Sequence, residues 1–249
     1  MQIIPLSEGA FTIDKTKRFV PFDLEKDDLQ ERPTGSLLVE VQPFCVVTTE
    51  DILVIDTGLG FAHDGILQIH ENLRNAGIDP AGVTKVLMSH LHKDHAGGIG
   101  GDCSDGGQLP TQLSFPNATY YVQRKELDYA FEKGPTSYIP EELECLRNNP
   151  RVYFLDGDGV LDGYIKYQIT GAHCPWHQVF WIVDGGETVF FGGDVAPQLQ
   201  SMKSRFVAKY DYDGKKAMEL RQEWWERGQR EGWTFLFYHD VKTPTFSFR

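Results

Sequence analysis

The chain has 249 residues, and its 24 Lys and Arg against 36 Asp and Glu give a formal net charge of −12. Nucleic acids and anionic membranes are bound by clustered Lys and Arg, so this balance excludes them as the main partner. No apolar run approaches the roughly 20 residues that span a bilayer. The first 30 residues also lack the charged start and apolar stretch of a secretory signal. We therefore expect a cytoplasmic protein, and the sequence leaves its oligomeric state open.

The first ninety residues predict short strands, one helix and a further strand. Runs rich in β-branched and apolar residues predict strands at 36–41, 44–48 and 51–56. Helical spacing of apolar residues, closed by Gly77, predicts a helix over residues 64–76. Residues 83–88 then predict a buried strand that leads directly to Ser89 and His90. This order of elements favours a layered α/β fold.

The remainder of the chain alternates strands and helices without a composition break. Residues 97–116 are rich in Gly and predict a long loop, and their glycines do not fit the spacing of a nucleotide site. The further strands are predicted at 119–123, 152–155, 164–170, 178–183, 188–191 and 233–238. The further helices are predicted at 125–132, 140–146 and 215–230. No linker divides these elements, so we predict a single domain over residues 1–249.

The segment 89–98 has the sequence SHLHKDHAGG and carries an unusual density of metal ligands. Imidazole and carboxylate groups bind zinc, iron and related cations. In an extended segment, His90 and His92 point to the same side and can share one ion. A turn at Lys93 would direct Asp94 and His95 to a different point. The sequence therefore predicts two ions side by side.

Further ligands are expected where later strands end, because loops at strand ends place side chains on a rigid scaffold. Each of three predicted strands is followed by such a residue. They are His173, Asp194 and His239. Together with the first cluster, these residues complete a predicted set of seven ligands.

The ordered set resembles that of the metallo-β-lactamase-fold hydrolases. The residues that carry the resemblance are His90, His92, Asp94, His95, His173, Asp194 and His239, with Thr57 and Gly58 after Asp56. The segment 173–177 is similar to the family's His-x-Pro-Gly-His segment, with Trp176 in place of Gly. The resemblance implies an α/β fold of the four-layer αββα type with metals at one edge of two packed sheets.

The resemblance also implies a role for each residue. One ion would be bound by His90, His92 and His173, the other by Asp94, His95 and His239, with Asp194 between the two ions. Asp56 and His177 would orient ligands by hydrogen bonding. The cofactors would be two divalent ions, with zinc expected and Mn, Fe or Co as alternatives.

Two adjacent ions can hold a hydroxide between them and polarise the bond that it attacks. We therefore expect hydrolysis of a small-molecule substrate by a metal-bridging hydroxide, with Asp94 as a catalytic proton relay to the leaving group. Residues 193–197, Tyr210 and Asp211 before the last predicted helix, and residues 238–240 make the resemblance nearest to the quorum-quenching lactonase and organophosphate hydrolase branch, which predicts a lactone or ester substrate. Antibiotic-hydrolysing members commonly carry Cys where Asp194 stands, and oxygen-reducing diiron members carry Glu where His92 stands. We therefore expect neither β-lactamase activity nor redox chemistry.

The substrate specificity has open alternatives. The Tyr that lactonases carry shortly after the bridging Asp is absent, since Val195, Ala196 and Pro197 occupy that stretch. A phosphotriester or thioester hydrolase therefore remains an alternative. A non-catalytic metal-binding protein is a separate alternative from another functional class. The predicted pocket walls are Phe61, Lys93, Tyr138, Trp176 and Phe206.

Overall fold

The computed structural model describes residues 1–100 and 112–248, so most of the predicted glycine-rich loop, residues 101–111, lies outside the described residues. The strands are β1 (Gln2–Pro5), β2 (Gly9–Ile13), β3 (Phe19–Pro21), β4 (Leu37–Val41), β5 (Phe44–Val47), β6 (Ile52–Ile55), β7 (Ala62–His63), β8 (Ile66–Leu67), β9 (Lys85–Leu87), β10 (Thr119–Gln123), β11 (Val152–Leu155), β12 (Gly159–Leu161), β13 (Ile165–Ile169), β14 (Gln178–Asp184), β15 (Glu187–Phe191), β16 (Thr234–Leu236) and β17 (Thr245–Ser247). The helices are α1 (Gln68–Asn75), α2 (Lys93–Ala96), α3 (Arg124–Lys133), α4 (Pro140–Leu143), α5 (Leu199–Met202) and α6 (Gly214–Glu231).

Two six-stranded sheets form the centre of the fold. The first has the strand order β1-β5-β6-β9-β10-β11, and the second has the order β12-β13-β14-β15-β16-β17. A three-stranded sheet, β3-β2-β4, and the hairpin β7-β8 complete the pairing of the described strands.

Three buried apolar clusters join these elements into four layers. The middle cluster, which includes Phe44 and Phe180, fills the space between the two sheets. A second cluster packs α1 and α3 against the outer face of the first sheet, through Leu73 and Leu127. A third packs α6 against the outer face of the second sheet, through Trp224. The predicted αββα sandwich is therefore confirmed.

Parallel strand pairs bring the functional residues to one edge. In the first sheet, β6 and β9 run parallel with Ile55 opposite Leu87, so Asp56 and Ser89 leave the sheet together. In the second sheet, β15 and β16 run parallel with Phe191 opposite Leu236. The chain after both pairs continues into the segments that carry the predicted metal ligands.

The prediction of a helix over residues 64–76 is wrong at its beginning. Asp64 and Gly65 have positive φ angles of 49° and 77°, and they form the turn of the hairpin β7-β8. An α-helix cannot run through such a turn, so α1 begins only at Gln68. The single domain stays a prediction. Among the described residues, no helix is both long and apolar enough to cross a membrane.

Candidate metal centre

The ligand-rich segment leaves β9 as an extended chain and closes in a one-turn helix. His92 has extended φ and ψ angles of −62° and 149°, and α2 begins at the next residue. The chain then passes close to the end of β6, where the backbone N–H of Thr57 donates to the carbonyl oxygen of His95 at 2.7 Å. A Cβ on Gly98 would lie 2.2 Å from the Thr57 carbonyl oxygen, so this close approach requires glycine.

Three histidines and one carboxylate oxygen form a first group, which we name the three-histidine subsite. Nδ1 of His92 lies 3.0 Å from Nε2 of His90 and 3.1 Å from Nε2 of His173. Oδ2 of Asp194 lies 3.2 Å from Nε2 of His173 and 4.0 Å from Nε2 of His90. Four ligand atoms therefore face one another, each from a different residue.

A second group, the two-histidine subsite, forms around the other oxygen of Asp194. Oδ1 of this residue lies 3.0 Å from Nε2 of His95 and 3.1 Å from Nε2 of His239. Oδ2 of Asp94 lies 3.8 Å from Nε2 of His95 and 3.5 Å from Nε2 of His239. Because its two oxygens face different groups, Asp194 has the geometry of a bridging ligand.

Hydrogen bonds at the outer nitrogens of the histidines fix the tautomers. Nδ1 of His95 donates to Asp56 at 2.8 Å, and Nδ1 of His173 donates to Asp211 at 2.9 Å. Nδ1 of His239 donates to the Glu40 carbonyl oxygen at 2.6 Å. A neutral imidazole that donates at Nδ1 has a free lone pair at Nε2, which here points into the site.

Asp56 organises the beginning of the ligand segment. Its carboxylate is fully buried and accepts hydrogen bonds from the backbone N–H of Ser89 at 2.7 Å and from its hydroxyl at 2.6 Å. The third bond comes from His95. Asp56 also has a positive φ of 56°, a conformation that is uncommon outside glycine and is found at functional sites.

The electrostatics of the site favour a bound cation. Burial lowers the pKa of His90 and His92 well below the usual value, so both imidazoles are neutral. Burial also opposes a charge on His95 and His239, but the Asp194 carboxylate outweighs it and raises the pKa of both. Burial likewise works against an ionised Asp194, yet the surrounding histidines lower its pKa well below the usual value. The carboxylates therefore attract positive charge into the site.

The donor set fits a divalent metal. Nε2 of His95 and Oδ1 of Asp194 are both buried and lie 3.0 Å apart, but they are not aligned for a hydrogen bond with each other and form none with another group, although buried polar atoms are normally paired. Both atoms face the centre of the two-histidine subsite. Imidazole nitrogens and carboxylate oxygens are the ligands of zinc and related borderline cations. The cluster therefore has the composition and geometry that suit a divalent metal ion.

The predicted orienting residues lie beside their ligands. Asp56 contacts His95 as described above. Nε2 of His177 accepts a hydrogen bond from the backbone N–H of Asp194 at 3.2 Å. The ring of His177 is buried and lies 5.1 Å from the ring of His90.

The predicted pocket walls differ in their distance from the ligands. The ring of Tyr138 is 1% exposed and lies 4.7 Å from the ring of His92. Phe61 is exposed and packs against Phe11, with ring centroids 5.8 Å apart.

The other three predicted walls lie farther out or face other partners. Lys93 lies 5.9 Å from the Phe19 ring, and Trp176 lies under the ammonium group of Lys125 at 4.9 Å. Phe206 is exposed, and its carbonyl oxygen accepts a hydrogen bond from Arg221.

Several residues that support the ligands were missed in the sequence. Asp211 holds His173, and the hydroxyl of Tyr238 donates to the carbonyl oxygen of Asp94 at 2.6 Å. The Tyr238 ring stacks on His95 with centroids 4.0 Å apart. Tyr238 precedes a predicted ligand, which was the available signal. Asp211 was noted for its place before the last predicted helix, but nothing indicated its partner, because His173 lies 38 residues away.

Comparison with known proteins identifies the family of this chain and several relatives. The family model described as the metallo-beta-lactamase superfamily matches residues 38–239. An N-acyl homoserine lactonase AttM of Azorhizobium caulinodans is 38% identical over 115 residues, which are 43% of this chain and 38% of that protein. An N-acyl homoserine lactonase of Bacillus cereus is 26% identical over 178 residues, which are 62% of this chain and 64% of that protein. The chain thus spans less than two thirds of the length of these relatives.

Solved structures share the fold over nearly the whole chain. A probable metal-dependent hydrolase from Staphylococcus aureus has a TM-score of 0.79 at 21% identity, covering 99% of this chain and 92% of that one. AidC, a dizinc quorum-quenching lactonase in complex with a product, has a TM-score of 0.71 at 20% identity, covering 98% of this chain and 88% of that one. At these identities the likeness concerns the fold.

Proposed function

Because the chain belongs to the metallo-beta-lactamase superfamily, we propose that it is a metal-dependent hydrolase that opens small-molecule lactones. The observation that carries this proposal is the Asp194 carboxylate, whose two oxygens face two separate groups of ligand atoms. The curated relatives described above, which are N-acyl homoserine lactonases, support a lactone as the substrate.

The centre binds two divalent ions in this proposal, and zinc is the expected metal. The three-histidine subsite and the two-histidine subsite each offer at least three ligand atoms within 4.8 Å of one another. Bound divalent ions lower the pKa of water toward neutrality and polarise a carbonyl oxygen. The proposed roles of Asp94 and Tyr210 follow from their positions beside the candidate ligands.

Asp94 is the proposed proton relay. Its side chain is 13% exposed, whereas the side chain of neighbouring His95 is fully buried, so a substrate can reach Asp94. Its backbone carbonyl is held by Tyr238, which fixes the position of the residue. Asp94 would carry a proton to the leaving alkoxide oxygen of the opened lactone.

Tyr210 is the proposed substitute for the hydroxyl that is absent after Asp194. Its ring is half exposed and lies 6.1 Å from the ring of His173. Burial and the carboxylates of Asp211 and Asp194 raise the pKa of Tyr210, so the phenol keeps its proton near neutral pH. A protonated phenol can donate a hydrogen bond to the oxygen on which charge develops.

The five predicted walls would shape the substrate pocket. Tyr138 lies directly against His92 and would form its floor. The exposed side chains of Phe61 and Phe206 would form its mouth. Lys93 and Trp176 would contribute to its rim.

A substrate panel tests the proposal. The zinc-loaded protein is assayed with N-acyl homoserine lactones, simple lactones, aryl esters, thioesters and phosphotriesters, and His92→Ala and Asp194→Asn serve as controls. We expect the highest kcat/KM with a lactone and a loss of activity in both variants. A phosphotriester or thioester as the preferred substrate would contradict the lactone assignment. Bound metal without turnover of any compound would favour the non-catalytic alternative.

A further inference from the structure

Glu126 is a buried carboxylate behind the metal centre, and the mechanism described so far does not use it. The residue lies in the first turn of α3 and is 1% exposed. Oε1 accepts hydrogen bonds from the backbone N–H of Leu91 and from the hydroxyl of Tyr138, both at 3.1 Å. Oε2 accepts from the thiol of Cys174 at 3.4 Å. Three donors from three chain segments therefore converge on one side chain.

Each of these donors adjoins a ligand of the three-histidine subsite. Leu91 lies between His90 and His92 in the chain, and Cys174 directly follows His173. The ring of Tyr138 packs edge-on against the ring of His92, with centroids 4.7 Å apart. A single carboxylate thus connects the supports of all three histidines.

The two-histidine subsite has different supports. His95 is held by Asp56, and His239 is held by the carbonyl oxygen of Glu40. The backbone of Asp94 is held by Tyr238. None of the hydrogen bonds of Glu126 among the described residues leads to these three groups.

The cost of burying Glu126 indicates that its position matters. A buried carboxylate loses its hydration and is stabilised only when hydrogen bonds replace the lost water. An apolar residue of similar size would avoid this cost in a site packed between α3 and the ligand segment. The Leu91 N–H is also a buried group that lies between two ligands and needs an acceptor.

We propose that Glu126 is a positioning residue that holds His90, His92 and His173 in the arrangement that binds one of the two metal ions. The inference rests on the proposed metal centre and adds that the two subsites are supported independently. Residues that orient metal ligands typically contribute about 10–100-fold to metal affinity. Loss of Glu126 therefore weakens the three-histidine subsite and leaves the two-histidine subsite intact.

Cobalt(II) binding to the metal-free protein tests this inference, with affinities obtained by competition against a chelator. His239→Ala removes a ligand of the two-histidine subsite, and His173→Ala removes a ligand of the three-histidine subsite. Glu126→Gln is then combined with each of these backgrounds. We expect Glu126→Gln to lower cobalt affinity about tenfold or more in the His239→Ala background and to leave it unchanged in the His173→Ala background.

Two further variants control for a general effect on folding. Glu142→Gln neutralises a partly buried acid, whose pKa burial raises to about 7, and should change cobalt affinity in neither background. Tyr138→Phe removes one donor to Glu126 and keeps the ring, so it should lower affinity less than Glu126→Gln, and only in the His239→Ala background. Urea unfolding of each metal-free variant reports whether the fold is retained.

An equal loss of affinity in both backgrounds would overturn the inference, as would unchanged affinity in the His239→Ala background. If Glu126→Gln does not fold, Tyr138→Phe is compared in the two backgrounds instead. A loss of cobalt affinity only in the His239→Ala background would support the inference, and an equal loss in both or no loss in either would overturn it. Because the readout is metal affinity, a protein that binds cobalt as expected but hydrolyses no lactone would contradict only the proposed function.

Discussion

The backbone N–H of Asp194 donates a hydrogen bond to Nε2 of His177 at 3.2 Å. The hydroxyl of Thr170 donates its proton to the carbonyl oxygen of His177. The Thr170 oxygen is then free to accept a hydrogen bond from Nδ1–H of the His177 ring at 3.1 Å, which leaves Nε2 of that ring as an acceptor. A Cβ on Gly193 would lie 2.6 Å from Nε2 of His177, which leaves no room for a side chain. His177 therefore fixes the turn that carries the Asp194 carboxylate.

Replacing His177 should weaken metal binding without removing a ligand. His177→Ala leaves the Asp194 N–H unpaired and opens space beside the turn, so the carboxylate loses its fixed position. We expect a loss of zinc affinity of about 10–100-fold, measured by chelator competition. The exposed His63→Ala variant is the control and should bind zinc normally. Normal zinc affinity in His177→Ala would refute this role.

Asp56→Asn should impair both stability and metal binding. The amide can offer only one acceptor oxygen where the carboxylate accepts from Ser89 twice and from His95 once. Leaving a buried donor unpaired costs about 1–3 kcal/mol of unfolding free energy. Urea unfolding and zinc titration measure the two effects, and the exposed Asp64→Asn variant is the control. An Asp56→Asn protein with unchanged stability and zinc affinity would contradict the assignment.

Tyr210→Phe should slow hydrolysis and leave the metal content unchanged. The variant keeps the ring beside His173 and removes the hydroxyl that we expect to contact the reacting oxygen. A hydrogen bond to a charged group contributes about 1.5–3 kcal/mol, so kcat/KM should fall about tenfold or more. Tyr212→Phe, at a side chain that is 70% exposed, should have no effect. Equal kcat/KM for the wild type and Tyr210→Phe would exclude the phenol from the reaction.

Glu8 should make the stability of the fold depend on pH. Burial raises the pKa of this carboxyl to about 8, well above its value of 4.5 in the unfolded chain. Its contribution to stability is complete below pH 4.5 and is lost as the pH rises through about 8, because the folded state retains a proton that the unfolded state releases.

The Glu8→Gln variant removes this titration. The free energy of unfolding of the wild type should therefore fall relative to Glu8→Gln between pH 5 and pH 9, as followed by urea unfolding. A difference between the two proteins that stays constant over this range would show that the Glu8 pKa is not raised.

The residues that the structure brings together as candidate ligands could be predicted from the sequence, because they combine local spacing with positions at strand ends. His90, His92, Asp94 and His95 lie within six residues, and the later ligands each follow a strand. The strand over residues 119–123 was predicted with its observed bounds, because residues 119–122 are all β-branched or aromatic.

Apart from Asp56 and His177, the supports of the ligands could not be predicted, because their partners are distant in the chain or have no side-chain signature. His239 binds a backbone carbonyl oxygen 199 residues away, and any residue type could supply that oxygen. Glu126 has the local appearance of an ordinary helical acid, and only the packing of α3 brings it under Leu91. The strands β1 to β3 were also missed, because such short strands depend on tertiary pairing.

Titration of the metal-free protein with zinc, with lactone hydrolysis followed at each addition, tests the central claim most directly. We predict no turnover before zinc is added and a plateau of activity at two equivalents per chain. Asp194→Asn should fail to reach this plateau, because it weakens the ligand shared by both subsites. Full activity without metal, or a plateau at one equivalent, would contradict a hydrolase that depends on two ions.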